Sequence, residues 1–321
     1  MPAADLMALY RVALQYYKVG KTQEEISRSE NISRSQVSRM LDKAREQGIV
    51  RFEVTLPNDP DEEALEEFLM RQLRLQQVVL SPSEEGWSAS RTAEAIAAAA
   101  AAELPRMLRG AGSVGIGWGE TLYRTAQALQ MRPSLPRSLF IPLIGASGSM
   151  NPYLQINTII DRLADKLRGD SFFTNLPAYR EKNMPLTAFE NKRLRTLREC
   201  WDGLDAAVFG LGAVDSVFRT FDEEVTESSR EHIVSAGAAG EILSQYYFED
   251  GSLLPPDESY VINAFPLEKL KTVPKTICLS GGVQKAGAIL AAARAGYFRI
   301  LITDSVTARE LYNRLRREII Q

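Results

Sequence analysis

TICLSGGVQKAGAILAAARAGYFRILITD, residues 276–304, decides the fold. Its ends, TICL and FRILITD, are short apolar runs rich in β-branched residues and without polar alternation, the pattern of strands buried on both faces. Between them SGG turns the chain, and QKAGAILAAARAG supplies helix formers over the length a crossover needs. Two buried strands joined by a helix lie parallel in one sheet. Outward from this unit the same alternation recurs: QQVVLS, an Ala-rich helix from Ser88 to about Arg109, GSVGIGW, a helix from Glu120, SLFIPLIG, a helix from Pro152, DSFFTNL and DAAVFGLG, with SVTARELYNRLRREI closing the chain. The reading is an α/β domain built on a mostly parallel sheet covered on both faces.

The 321 residues carry 38 Lys and Arg against 41 Asp and Glu, a formal charge of −3, and are 45% hydrophobic. Such a chain is large enough for one substantial core plus a small extra domain, and its composition excludes disorder and fibrous repeats. Cys200, Cys278 and a single histidine, His232, rule out a disulfide framework and a Cys/His zinc site. No metal or cofactor is expected. No apolar run approaches the ~18 residues of a membrane span. The expected location is the cytoplasm, with reduced thiols.

The first 56 residues read differently. Residues 4–19 place Leu6, Leu9, Tyr10, Ala13, Leu14, Tyr16 and Tyr17 at helical spacing, stopped near Gly20. Thr22 with Glu25 three residues later forms a capping-box pattern opening a second, short helix that offers Ile26 to a core. Ser33 caps a third, with Val37, Met40, Leu41 and Ala44 inward and Gly48 at its end; residues 49–56, IVRFEVTL, then alternate like a strand or wing. This order is that of a helix-turn-helix, whose third helix enters the major groove. Gln36 and Arg39 suit bidentate pairing with adenine and guanine; Ser33, Arg34, Ser35, Ser38 and Lys43 extend the polar face, and Thr22 and Gln23 can meet a phosphate. A plain three-helix bundle with a solvated face fits the same pattern. Nine Lys and Arg against seven Asp and Glu make the module only mildly basic, so one copy would bind weakly and an oligomer would be needed. Pro57 and Pro60 mark the boundary, giving domains 1–56 and 57–321.

Parallel sheets bind ligands beyond the carboxyl ends of their strands. Three glycine-rich turns stand there: GIGWGETL, with Gly117, Gly119, Glu120 and Thr121; GASGSM, residues 145–150; and SGGVQK, which adds Lys285. Each can be a ligand cradle or a turn that only needs glycine for its geometry. None matches the P-loop or the dinucleotide fingerprint, which disfavours nucleotides. Asp304 and Asp215, also at strand ends, read better as helix caps, and the isolated His232 as structural.

Taken in order, GIGWGETL, PLIGAS, DAAVFGLGAV, SAGAAGEILSQYYFEDG and SGGVQKAGAILAAARAGYFRILITDSVTARELY resemble, over nearly the full chain, the SorC/DeoR-type sugar-binding transcriptional regulators. The resemblance implies a Rossmann-like effector domain related to phosphosugar isomerases and CoA transferases behind a (winged) helix-turn-helix. It also implies a homotetramer, double-stranded operator DNA as partner, and a sugar, polyol or sugar-phosphate effector that controls operator affinity. Residue by residue it implies an effector loop at Gly117, Gly119, Glu120 and Thr121, an acidic ligand residue at Glu241 and a lysine at Lys285. Glu120 stands where members often carry a basic or hydroxyl residue, and Glu241 where Asp is usual. The alternative is a phosphosugar isomerase-like enzyme on the same fold; against it, no histidine joins the glycine-rich turns.

Overall fold

In the computed structural model, which describes residues 3–50, 60–130, 138–147, 154–214, 227–256, 258 and 260–320, the chain separates into two units, Met1–Pro57 and Asn58–Gln321.

In the first unit α1 (Ala3–Ala13) runs into one π-helical turn, Leu14–Lys18, followed by α2 (Gln23–Glu30) and α3 (Arg34–Glu46). Both short helices start as their sequences demand. The Thr22 hydroxyl accepts from the Glu25 N–H while Glu25 accepts from the Thr22 N–H at 2.8 Å, and Ser33 and Gln36 repeat the arrangement. Asn31 ends α2 at φ 53°, a left-handed conformation its short polar side chain tolerates. Leu9, Val12, Ala13, Ile26, Val37, Leu41 and Ala44 form the core, with Tyr16, Tyr17, Ile32 and Met40 half-buried against it. Met40 is therefore at the core's edge and not inside it. Ile49 and Val50 pack on the same cluster; the rest of the expected wing lies outside the described residues.

In the second unit the linker reading stops short. Pro60 opens a helix, α4 (Pro60–Leu73), which buries Leu65, Leu69 and Leu73 at four-residue spacing. Proline suits a first helical turn because its missing N–H would be unpaired there anyway. Then come β1 (Gln77–Ser81), α5 (Ala89–Met107), β2 (Ser113–Ile116), α6 (Glu120–Ala128), β3 (Leu139–Pro142), α7 (Ile156–Leu167), β4 (Asp170–Ser171), β5 (Tyr179–Glu181), α8 (Ala188–Asp202) and β6 (Ala206–Gly210). The chain continues with α9 (Glu227–Ser235), β7 (Gly240–Ile242), β8 (Gln245–Tyr247), β9 (Tyr260–Ile262), β10 (Lys275–Leu279), α10 (Ala286–Arg294), β11 (Ile300–Asp304) and α11 (Ser305–Ile320). Seven strands form one sheet in the order β1-β11-β10-β6-β2-β3-β4, and every pair is parallel.

Helices α5, α6 and α7 form one contiguous layer on this sheet, and α4, α10 and α11 another. The central strands are correspondingly apolar; β11 is buried at every position. From β2 the chain builds outward through β3 to β4, and after β6 it builds the opposite way through β10 and β11. The reversal between β2 and β6 leaves a crevice at the carboxyl ends, where open α/β sheets bind ligands. Two antiparallel pairs, β5 with β9 and β7 with β8, stand outside the sheet.

Candidate functional site

A cavity of about 590 Å³ occupies that crevice. The turn after β2 contributes Trp118, Gly119, Glu120 and Thr121; the turn after β6, Gly210 to Ala213; the turn after β10, Gly281, Gln284 and Lys285; the β7–β8 hairpin, Glu241 and Leu243; and α5, Ala89, Ala93 and Ile96. Five of the six expected effector residues thus converge. Gly117 does not line the cavity: a Cβ there would lie 2.9 Å from Phe209 Cβ, so this glycine serves the packing of β2 on β6. Gly119 opens α6 at φ 121°, a conformation that favours glycine, with no side chain capping the helix end.

Glu241 is held from two sides. Its N–H and C=O exchange hydrogen bonds with Gly212 at 3.0 and 3.1 Å, which fastens the hairpin to the end of β6. Its carboxylate Oε2 accepts from the Ser244 N–H at 2.8 Å. That bond closes a two-residue turn in which Leu243 (φ 53°) and Ser244 (φ 61°) are both left-handed, a conformation costing non-glycine residues about 1 kcal/mol or more each. Glu241 is only 8% exposed. Burial pushes its carboxyl up to about 7, while the Ser244 N–H and the Lys285 charge pull the other way. Lys285 is the last residue of a short 3₁₀ turn, and burial pulls its ammonium below the ordinary lysine value, with Glu241, Cys278 and Glu120 opposing. A carboxyl and an ammonium facing one cavity offer an acceptor or donor to hydroxyls and a cation to an oxygen-rich end.

Glu120 is exposed on the rim, and its Oε1 accepts from Arg124 Nε at 2.9 Å and Nη2 at 2.7 Å. Arg124 in turn donates to Ser90 Oγ at 2.7 Å.

The remaining sequence candidates fall elsewhere. In the GASGSM turn Gly145 packs on the backbone of Leu176 to Ala178, Ser147 is buried, and residues 148–150 lie outside the described residues. Asp304 caps α11, accepting from the Thr307 N–H at 2.9 Å and from Ser83 Oγ at 2.9 Å, as the cap reading expects; Asp215 lies outside the described residues. His232 is exposed on α9 at a second cavity of about 600 Å³, beyond the β7–β8 hairpin, with Tyr179, Tyr246 and Tyr260. Among the described residues no cluster of three His, Cys, Asp or Glu side chains lies together as a metal site, and no helix is long and apolar enough to cross a membrane. Trp118, Gln284 and the α5 residues were not singled out by sequence; the first two sit inside the quoted turns and were reachable from them.

In the first unit Thr22, Ser33, Arg34, Ser35, Gln36, Arg39 and Lys43 are exposed and Gln23 and Ser38 half-buried. Gln36 is partly committed: its Oε1 accepts from the Ser33 N–H at 2.8 Å and Oγ at 3.0 Å, so bidentate pairing with adenine requires it to leave the cap. Among the described residues Arg39 has only a 3.3 Å bond from Nε to the Ser35 carbonyl to give up.

Comparison with known proteins decides between the readings. The Sugar-bind model, which describes a sugar-binding domain, matches residues 61–313. The chain belongs to the sugar-binding domain family. The sorbitol operon regulator of Klebsiella pneumoniae is 26% identical, over 96% of this chain and 98% of its own. Its full-length crystal structure covers the same shares with a TM-score of 0.80. The transcriptional regulator LsrR of Escherichia coli K12 is 29% identical over 93% of this chain and 92% of its own. A transcriptional regulator from Streptococcus pneumoniae TIGR4 shares the fold, with a TM-score of 0.72 at 23% identity over 80% of this chain. The resemblance to SorC/DeoR-type regulators holds, and with it the α/β fold. This member of the sugar-binding domain family is a sugar-controlled transcriptional regulator, and the enzyme alternative is set aside because the full-length relatives are regulators.

Proposed function

We propose that the first unit binds double-stranded operator DNA through α3 and that a sugar, polyol or sugar phosphate, bound in the crevice cavity, changes the affinity of that binding. Arg39 reads base edges, Gln36 joins it on leaving its cap, and Ser33, Arg34, Ser35, Ser38 and Lys43 hold phosphates or bases, with Thr22 and Gln23 at a backbone phosphate. The module spans residues 1–56 and the effector domain 57–321. The protein acts in the cytoplasm as a homotetramer, which places several weakly binding modules on repeated half-sites.

The observation that carries the reading is the convergence of Glu241, Lys285 and the uncapped start of α6 on one cavity at the strand reversal. Glu241 pairs with ligand hydroxyls, and Lys285 with the opposite, oxygen-rich end. A ligand shifts DNA affinity only if it binds two states unequally. The β7–β8 hairpin, whose turn the Glu241 carboxylate holds, is the element that a ligand would bias. The test is Lys285→Ala: operator affinity stays within about twofold and the response to the effector disappears. Equal loss of both would assign Lys285 to structure alone.

A further inference from the structure

Two features make the α6 end of the cavity attractive to an anion. The N–H groups of Glu120, Thr121 and Leu122 have no partner among the described residues, and Gly119 provides no side-chain cap. Independently, the half-buried Lys285 faces the same cavity, its ammonium without a hydrogen bond or ion pair among the described residues. Glu120 opposes both, because its carboxylate sits on the first residue of the helix whose amides would hold the anion. A free glutamate at that position would swing over those amides and repel a bound phosphate.

The side chain does not swing. Arg124, one turn along α6, takes Glu120 Oε1 with two nitrogens, and Ser90 at the start of α5 fixes the guanidinium from behind. Arg124 does not line the cavity, so its charge is spent on Glu120 and not offered to a ligand. An ion pair this exposed adds little to stability, 29% of the Arg124 side chain and 50% of the Glu120 side chain being open to solvent. What it does is select one position of the carboxylate.

We propose that Arg124, braced by Ser90, is a specificity-determining positioning residue: by drawing the Glu120 carboxylate off the start of α6 it lets the cavity accept a ligand bearing a phosphate. The proposal rests on the cavity being the effector site. Replacing Arg124 releases Glu120, and phosphate affinity falls on the order of tenfold. Removing the Glu120 charge as well restores it.

The test uses the full chain and inorganic phosphate as probe, at constant ionic strength set by sodium chloride. Phosphate binding is read from the rise in the thermal unfolding midpoint followed by tryptophan fluorescence. The wild type is expected to be stabilised by millimolar phosphate, and Lys285→Ala to lose this effect, placing the anion in the cavity. Arg124→Ala should need about ten times more phosphate for the same rise, and Glu120→Gln/Arg124→Ala should return to the wild-type value. Failure of the double variant to recover would mean that Arg124 touches the anion itself or only supports the fold, and would overturn the proposal. So would equal phosphate response in wild type and Arg124→Ala, or no response in the wild type. Whether the cavity is the effector site is judged separately, by the operator's response to sugars in wild type and Lys285→Ala, so the two readings can fail apart.

Discussion

Replacing Glu241 with glutamine should stabilise the effector unit in a pH-dependent way. The carboxyl is raised from its ordinary 4.5 to about 7, first by burial, with the Ser244 N–H and Lys285 in opposition. A group that holds its proton more tightly folded than unfolded favours folding where it is protonated. Its contribution is therefore present at low pH and lost as pH rises from 4.5 through 7. At about 1.4 kcal/mol per tenfold change in proton affinity, ionising this buried carboxyl costs about 3 kcal/mol above pH 7. Glutamine keeps an oxygen for the Ser244 N–H, so the turn bond survives. The variant's advantage over wild type should grow from about 1 kcal/mol at pH 5 to about 3 kcal/mol at pH 8. Urea unfolding followed by tryptophan fluorescence measures it cleanly, because Trp87, Trp118 and Trp201 all lie in this unit. A gap that stays flat with pH, or a less stable variant at pH 8, refutes the reasoning.

Three further outcomes are expected. Ser244→Gly relieves a left-handed backbone and deletes a buried hydroxyl that has no partner among the described residues. It should stabilise the unit by up to about 1 kcal/mol after the added freedom of the unfolded chain is subtracted, read as a higher urea midpoint; a loss above about 1 kcal/mol would contradict this. Gly281→Ala puts a methyl against Asp304 Oδ2 and 2.5 Å from Ile96 Cδ1, so the carboxylate that caps α11 and the tip of Ile96 must shift, and should cost about 1–3 kcal/mol by the same assay. Arg39→Ala should weaken operator binding by about 1–3 kcal/mol and relax preference at one base, whereas Lys43→Ala should weaken all sequences alike and flatten the salt slope by about 1; a competition assay over operator variants at two salts separates them.

Strand positions were legible because burial on both faces removes polar alternation, as ILITD in β11 shows. The turns that follow were legible because glycine is needed where the chain reverses, as at Gly119. Less visible was α4: two prolines read as a linker, although Pro60 followed by Asp61, Glu62 and Glu63 is also a good helix start. The site was half-readable. Glu241 and Lys285 were found through resemblance, but nothing local indicates that a β7–β8 hairpin carries Glu241 across to the end of β6, because that contact spans about thirty residues and rests on backbone bonds to Gly212. The place of Gly117, off the cavity wall, was not readable for a related reason. Glycine serves close packing and ligand approach alike, and only the neighbouring Phe209 tells them apart. The Glu120–Arg124 pair was available at i, i+4 spacing, yet its meaning depends on Ser90 from another helix.

The central claim is that ligand occupancy of the crevice changes DNA affinity. Fluorescence anisotropy of the full chain on DNA from upstream of its own gene and its neighbours tests it, with and without a panel of sugars, polyols and their phosphates at two salt concentrations. The account predicts salt-sensitive binding whose affinity one panel member shifts by about fivefold or more. Absence of DNA binding at low salt, or tight DNA binding that no panel member alters although one demonstrably occupies the cavity, would contradict it.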